Sequence, residues 1–261
     1  MIHSADTLSD LAIAAHAGDR DLTRFARYSA ARPNHPAPAC PADLLAGREP
    51  TFHRRLAPLL PPARDARLLD LGCGYGEFLY YLQRQGYAQT RGIDLDPAQV
   101  EVARRLGVRN VQRAEARAFL AANGDFDCIA ALDVLEHFPQ DDVLPLLKLV
   151  RRALRPGGRL LCQVPNLAAF HTPLFFMDFT HRTPFTAPSL KQALEMAGFA
   201  NVRVYPMGPV AHGLASALRA LLWKGVSAAL RAIQTIEGGP RDGLCSIFTS
   251  ALCATADKNR S

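Results

Sequence analysis

The sequence predicts an α/β protein built on a mostly parallel sheet, and three observations carry that expectation. From Ala63 onward, short apolar runs alternate with stretches of helical apolar periodicity, the order that right-handed crossovers between parallel strands require. The run Arg67 to Leu71 empties into glycines at alternate positions, Gly72, Gly74 and Gly76, and then into an apolar-periodic helix from about Glu77 to Gln85. A second run, Arg91-Gly92-Ile93-Asp94, ends in an acid 24 residues after Asp70.

A strand, glycine turn and helix in that order form a nucleotide site, because glycine admits close approach of a ligand to the backbone and a helix N-terminus offers free N–H groups. Asp94 stands where a carboxylate grips ribose hydroxyls. The spacing is GxGxG, with Glu77 where a dinucleotide fingerprint would need its third glycine.

The D-x-G-x-G-x-G turn followed by G-I-D resembles the class I S-adenosylmethionine-dependent methyltransferases, and the resemblance runs from about Leu68 to Phe199. It implies a Rossmann-like, seven-stranded, mostly parallel sheet with S-adenosyl-L-methionine as cofactor. On that resemblance the backbone around Gly72, Cys73, Gly74 and Gly76 meets the methionyl end, and Asp70 fixes the turn or the amino group. Asp94 and its neighbour Leu95 hold the ribose, Glu115 with Ala116 meets the adenine amino group, and Asp133 lies near the sulfonium.

Ahead of the sheet, residues 1–62 read as a helical and irregular appendage. Thr7 to Ala17 and Asp19 to Tyr28 are helix-like, prolines from Pro33 to Pro41 make a linker, and Thr51 to Leu60 is amphipathic. In the resembled family such a segment lies over the cofactor cleft as a lid; packing on the sheet is the other reading. The methyltransferase domain then occupies 63–261. Asp96-Pro97 starts a helix to Leu106, Arg109 to Arg113 is a short strand, and Asp127 to Leu132 is a fourth. Asp142 to Leu154 is a crossover helix, the turn 155–158 leads into a strand from Arg159 to Val164, and Ser189 to Met196 and Asn201 to Tyr205 are a helix and a strand.

Two stretches depart from plain alternation. Pro165 to about Ala187 is long, irregular and rich in aromatics and histidines, and loops of that length usually carry function. Its run Asp178-Phe179-Thr180-His181, with Pro184-Phe185-Thr186, resembles a subgroup associated with bacterial polysaccharide biosynthesis. A helical insertion at about 211–238 precedes a last strand from Cys245 to Ala254. Within it Leu214, Leu218, Leu221, Leu222, Val226, Ala229, Ile233 and Ile236 fall on one arc, and Ser216, Arg219, Trp223, Lys224, Ser227, Arg231 and Gln234 lie opposite. That apolar arc serves packing within the protein, a homodimer, or shallow contact with a membrane.

The totals set outer bounds. Hydrophobic content of 49% and charged content of 21% suit a globular protein, and a net charge of +6 is spread over scattered arginines without the basic run of a nucleic-acid binder. A Pro-Pro-aromatic run after the fourth strand, usual in base-methylating relatives, is absent. The six cysteines form no metal-ligand spacing, so no metal is expected and buried, reduced thiols are. The N-terminus lacks a signal-peptide pattern and no window spans a bilayer, which points to the cytoplasm, with peripheral contact at the inner membrane surface left open.

Methyl transfer to an alcohol needs a base, and histidine titrates near neutrality. His181 and His137 are the candidates, with His171 third. The expected reaction is O-methylation of a sugar hydroxyl in a glycan or its precursor. The alternatives are a small aromatic or lipid-linked hydroxyl, and a cofactor-binding partner without turnover.

Overall fold

The computed structural model describes residues 37–170, 174–240 and 243–260. The helices expected at 7–17 and 19–28, and His171, lie outside the described residues. Seven strands form one sheet: β1 (Arg67–Leu71), β2 (Gln89–Asp94), β3 (Val111–Arg113), β4 (Phe126–Leu132), β5 (Leu154–Pro165), β6 (Ala200–Pro206) and β7 (Ala251–Asp257). Their spatial order is β3-β2-β1-β4-β5-β7-β6, with β7 antiparallel to both neighbours and the remaining pairs parallel. The chain order reverses direction across the sheet between β1 and β4. There the carboxyl ends of the strands leave the crevice in which α/β proteins bind ligands.

Six helices connect the strands: α1 (Glu77–Arg84), α2 (Pro97–Arg105), α3 (Ala116–Ala122), α4 (Gln140–Ala153), α5 (Ala187–Met196) and α6 (Leu214–Gly238). Three of them, α2, α3 and α5, start at a side-chain cap. Asp96 caps α2 by accepting the Ala98 N–H at 2.8 Å, ahead of Pro97 in the first turn. Thr186 and Ser189 form a reciprocal capping box on α5. The central strands are apolar on both faces, since Leu69, Leu71, Ile129 and Leu160 pack toward α3, α4 and α5 while Leu68, Cys128 and Leu161 pack toward α1.

The described part of the appendage contains the helical turns Asp43–Leu45, Glu49–Thr51, Phe52–Leu56 and Ala57–Leu59. Phe52 meets Phe78 edge-on, with ring centroids 5.2 Å apart, so this segment is packed against α1. Leu44 shares a cluster with Cys73 and Tyr75, which brings the same segment up to the glycine turn.

Three sequence expectations need correction. Helix α3 was not foreseen; its N-cap is Glu115, and a seven-residue element shows too little periodicity to read. The last strand begins at Ala251 rather than Cys245, because Gly243–Ser246 forms a helical turn tied to α6. The cysteines are all free, but Cys40 is exposed and Cys245 half-buried, so burial holds for the other four only.

The apolar arc of α6 does not pack on the protein. Ser216, Ala220, Trp223, Ser227, Leu230 and Gln234 are its buried or half-buried positions. Trp223 rests against Gly208, the Gln234 amide donates to the Cys245 carbonyl at 3.0 Å, and the Ser246 hydroxyl donates to the Gln234 carbonyl at 2.7 Å. The helix is held by this mixed side, and Leu214, Leu218, Leu221, Leu222, Val226, Ile233 and Ile236 face outward.

Candidate active site

The turn after β1 and the tip of β2 are directly joined. The Gly74 N–H donates to Asp94 Oδ2 at 2.7 Å, and the Asp96 N–H donates to Asp94 Oδ1 at 2.9 Å. All three glycines have positive φ. Gly72 has a second reason to lack a side chain: a Cβ there would stand 2.6 Å from Cγ2 of Val134. That contact seats the segment after β4 against the glycine turn.

Asp70, at the end of β1, is 2% exposed, and its Oδ2 has no hydrogen-bond partner. Burial first, and then the nearby Asp94 and Glu77 carboxylates, push its pKa up to about 8. Burial also raises Asp94, against which the Asp96 and Gly74 amides work. Acidic groups crowded beneath an amide-rich turn, one with an orphaned buried oxygen, make a receptor for a cationic, hydroxyl-bearing ligand. S-adenosylmethionine fits: its ammonium and sulfonium are cations, and its ribose can donate to the lone pairs of Asp94 that the amides leave open.

The remaining cofactor candidates are less uniform. Cys73 is buried in the turn, with its thiol pKa raised chiefly by that burial. Leu95 follows Asp94 and is half-buried. The Glu115 carboxylate accepts the Arg117 and Ala118 N–H groups at 3.0 and 2.7 Å, so its first role is to cap α3, with Ala116 as the first helical residue. An adenine contact would use the lone pairs that capping leaves. Asp133 sits at the tip of β4 in the left-handed region, φ 56°, with both carboxylate oxygens accepting from the Gln163 amide at 3.0 and 3.1 Å. Strained backbone held by neighbours is characteristic of functional positions.

His137 and His181 come together, 44 residues apart in sequence, with ring centroids 4.8 Å apart. His181 Nδ1 lies 2.8 Å from the Phe175 carbonyl, which can only accept, so Nδ1 carries a proton. Nε2 is 3.9 Å from Oε1 of Glu136, a fully buried carboxylate. Thr180 Oγ1 donates to Asp178 at 2.6 Å and therefore accepts from His137 Nδ1 at 2.9 Å. Both rings are thus oriented through Nδ1. Glu136, Gln163 and Thr180 went unrecognised in the sequence, although Glu136 directly precedes His137. One ligating atom each from Glu136, His137 and His181 lie within 4.8 Å of one another, so a modest side-chain adjustment would let a divalent cation bind there. A recess of about 420 Å³ lined by Arg67, Gln89 and Phe126 lies at the opposite, amino edge of the sheet and has no part in this site.

A seven-stranded sheet with one antiparallel strand, and a glycine turn after its first strand clasped by the acid of the next, define a class I S-adenosylmethionine-dependent methyltransferase fold. The chain belongs to the methyltransferase domain family, whose model matches residues 45–204. It is similar to the ubiquinone biosynthesis O-methyltransferases of Xylella fastidiosa (39% identical over 117 residues, covering 42% of this chain and 46% of that protein) and Xanthomonas axonopodis pv. citri (38% over 113 residues, 41% and 46%). The chain thus spans less than half the length of these curated relatives. Among solved structures, a SAM-dependent methyltransferase from Archaeoglobus fulgidus superposes with TM-score 0.59 at 20% identity, covering 80% of this chain and 93% of the other. The phosphoethanolamine N-methyltransferase 2 of Haemonchus contortus, in complex with S-adenosyl-L-methionine, superposes with TM-score 0.56 at 19% identity, covering 82% and 53%.

Proposed function

We propose that the protein transfers a methyl group from S-adenosylmethionine to a hydroxyl oxygen of a lipid-linked acceptor. The observation that carries the oxygen is the Glu136–His181 pair, with His137 beside it. The cofactor supplies an electrophilic methyl group when bound. The residues of this chain supply the rest. Asp94, Asp70 and the glycine turn fix the donor end, and Asp133, at the tip of β4, opens the segment that runs to His137. His181 Nε2 takes the acceptor proton. The resulting imidazolium is stabilised by the Glu136 carboxylate 3.9 Å away, while its Nδ1–H stays on the Phe175 carbonyl.

The acceptor class is supported by the relatives, whose names place them in ubiquinone biosynthesis, and by the outward apolar face of α6. The relatives lend no support to a glycan acceptor. The test is incubation of the protein with labelled S-adenosylmethionine and a panel of hydroxylated aromatic, polyprenyl-linked and nucleotide-sugar acceptors. Label is expected in a polyprenyl-linked hydroxyl. Label confined to the sugars would remove the acceptor assignment, and no heat on titration with the cofactor would remove the reaction. Running the assay with and without a chelator separates base catalysis by His181 from a cation held by the same three side chains.

A further inference from the structure

Helix α6 is 25 residues long, about 37 Å, and inverted relative to an ordinary surface helix. Ser216, Ala220, Trp223, Ser227, Leu230 and Gln234 form its side toward the protein, while Leu214 (94% exposed), Leu218, Leu221, Leu222, Ile233 and Ile236 (85% exposed) face away from it. A continuous apolar stripe of that length marks an interaction surface. Lys224 and Arg231 border the stripe on one side and Arg219 on the other, and Glu237 is the helix's one acid. Between two copies of this chain, packing stripe to stripe would bring these basic borders together with little to neutralise them, at a cost in like-charge contact. Phospholipid headgroups of negative charge complement them instead, and long basic side chains can reach headgroups while their stems lie along apolar surface.

We infer that α6 docks the protein on the surface of an anionic bilayer, with its leucine–isoleucine face among the acyl chains and its basic borders on the headgroups. No described helix is long and apolar enough to cross a membrane, so the contact lies in the plane of the interface. The helix also lies near the carboxyl edge of the sheet. Arg219 and Trp223 line a recess of about 350 Å³ together with Phe170 of the loop after β5 and Phe248 to Ser250, which lead into β7. The same loop presents Phe176 and Met177, and Phe179 at 96% exposure. Docking through α6 therefore brings the edge that carries the site toward the bilayer. The purpose of docking rests on the lipid-linked acceptor proposed above, whereas docking itself is read by binding alone.

The experiment is co-sedimentation of the full chain with unilamellar vesicles of phosphatidylcholine, with and without phosphatidylglycerol. Binding is expected to the anionic vesicles and to weaken with salt. The Leu218→Glu/Leu221→Glu variant, altered only at exposed positions, should keep its melting temperature and lose the vesicles. Lys224→Glu/Arg231→Glu should bind roughly tenfold or more weakly. Wild-type protein that stays in the supernatant overturns the inference. So does light scattering that shows a dimer which the leucine variant dissolves, since a second copy is then the occupant. Binding without transfer to any lipid acceptor keeps docking and removes the acceptor; transfer without binding does the reverse.

Discussion

Asp94 and Asp70 stand on either side of one glycine turn and behave differently. Asp94 is held by two backbone amides and ties the turn to β2, so Asp94→Ala should abolish cofactor binding in calorimetry and also loosen the turn. Asp70 is buried with an orphaned oxygen, and in the absence of a cation its proton is retained up to about pH 8. A cationic ligand beside it favours the carboxylate, so cofactor affinity should rise with pH up to about 8 and proton release should accompany binding; Asp70→Asn should remove both. His181→Ala should leave affinity for the cofactor unchanged and lower kcat by about 10²–10⁴-fold, the usual contribution of a positioned base. Normal turnover in that variant would show that the proton leaves by another route. Asp70, the glycine turn and Asp94 were legible in the sequence as a structural unit because strand, turn and acid are local patterns. Glu136 escaped because nothing local marks it; its role comes from His181, which the chain delivers from a loop 45 residues away.

The glycine turn and α6 show how differently elements depend on their surroundings. Gly72 combines a left-handed φ of 70° with a Cβ position 2.6 Å from Val134, so Gly72→Ala must strain the backbone and displace the segment that leads to Asp133 and His137. The expected cost is on the order of 1–3 kcal/mol, read as a lowered urea midpoint, with activity falling further than stability. Strands β1 to β4 and β6 and helices α1, α2, α4 and α5 follow their apolar patterns to within a few residues, whereas β5 begins five residues before the expected Arg159 and β7 six residues after the expected Cys245. For α6 the period was legible and the direction was not. Amphipathicity says that one face differs from the other. Which face meets the protein depends on the partners available, here Gly208 and the 243–246 turn, and these favour Trp223 and Gln234.

For the whole molecule, buried acids should shape the pH dependence of stability. Asp70 has its ordinary value of 3.8 when unfolded and about 8 when folded, so the folded state binds the extra proton in between. Its contribution is fully present below about pH 4 and is lost as pH rises through 8. Urea midpoints of the apo protein should therefore decline across that range more steeply than those of Asp70→Asn. Saturating cofactor should flatten the decline.

The sequence by itself determined the α/β order, the glycine turn after the first strand and the acid at the tip of the second that clasps it, since each depends on residues close together in the chain. Tertiary structure alone decided that Glu136, His137 and His181 share one corner and that α6 turns its leucines outward. Both are choices among distant partners, made by the packing of the sheet edge and not by any local pattern.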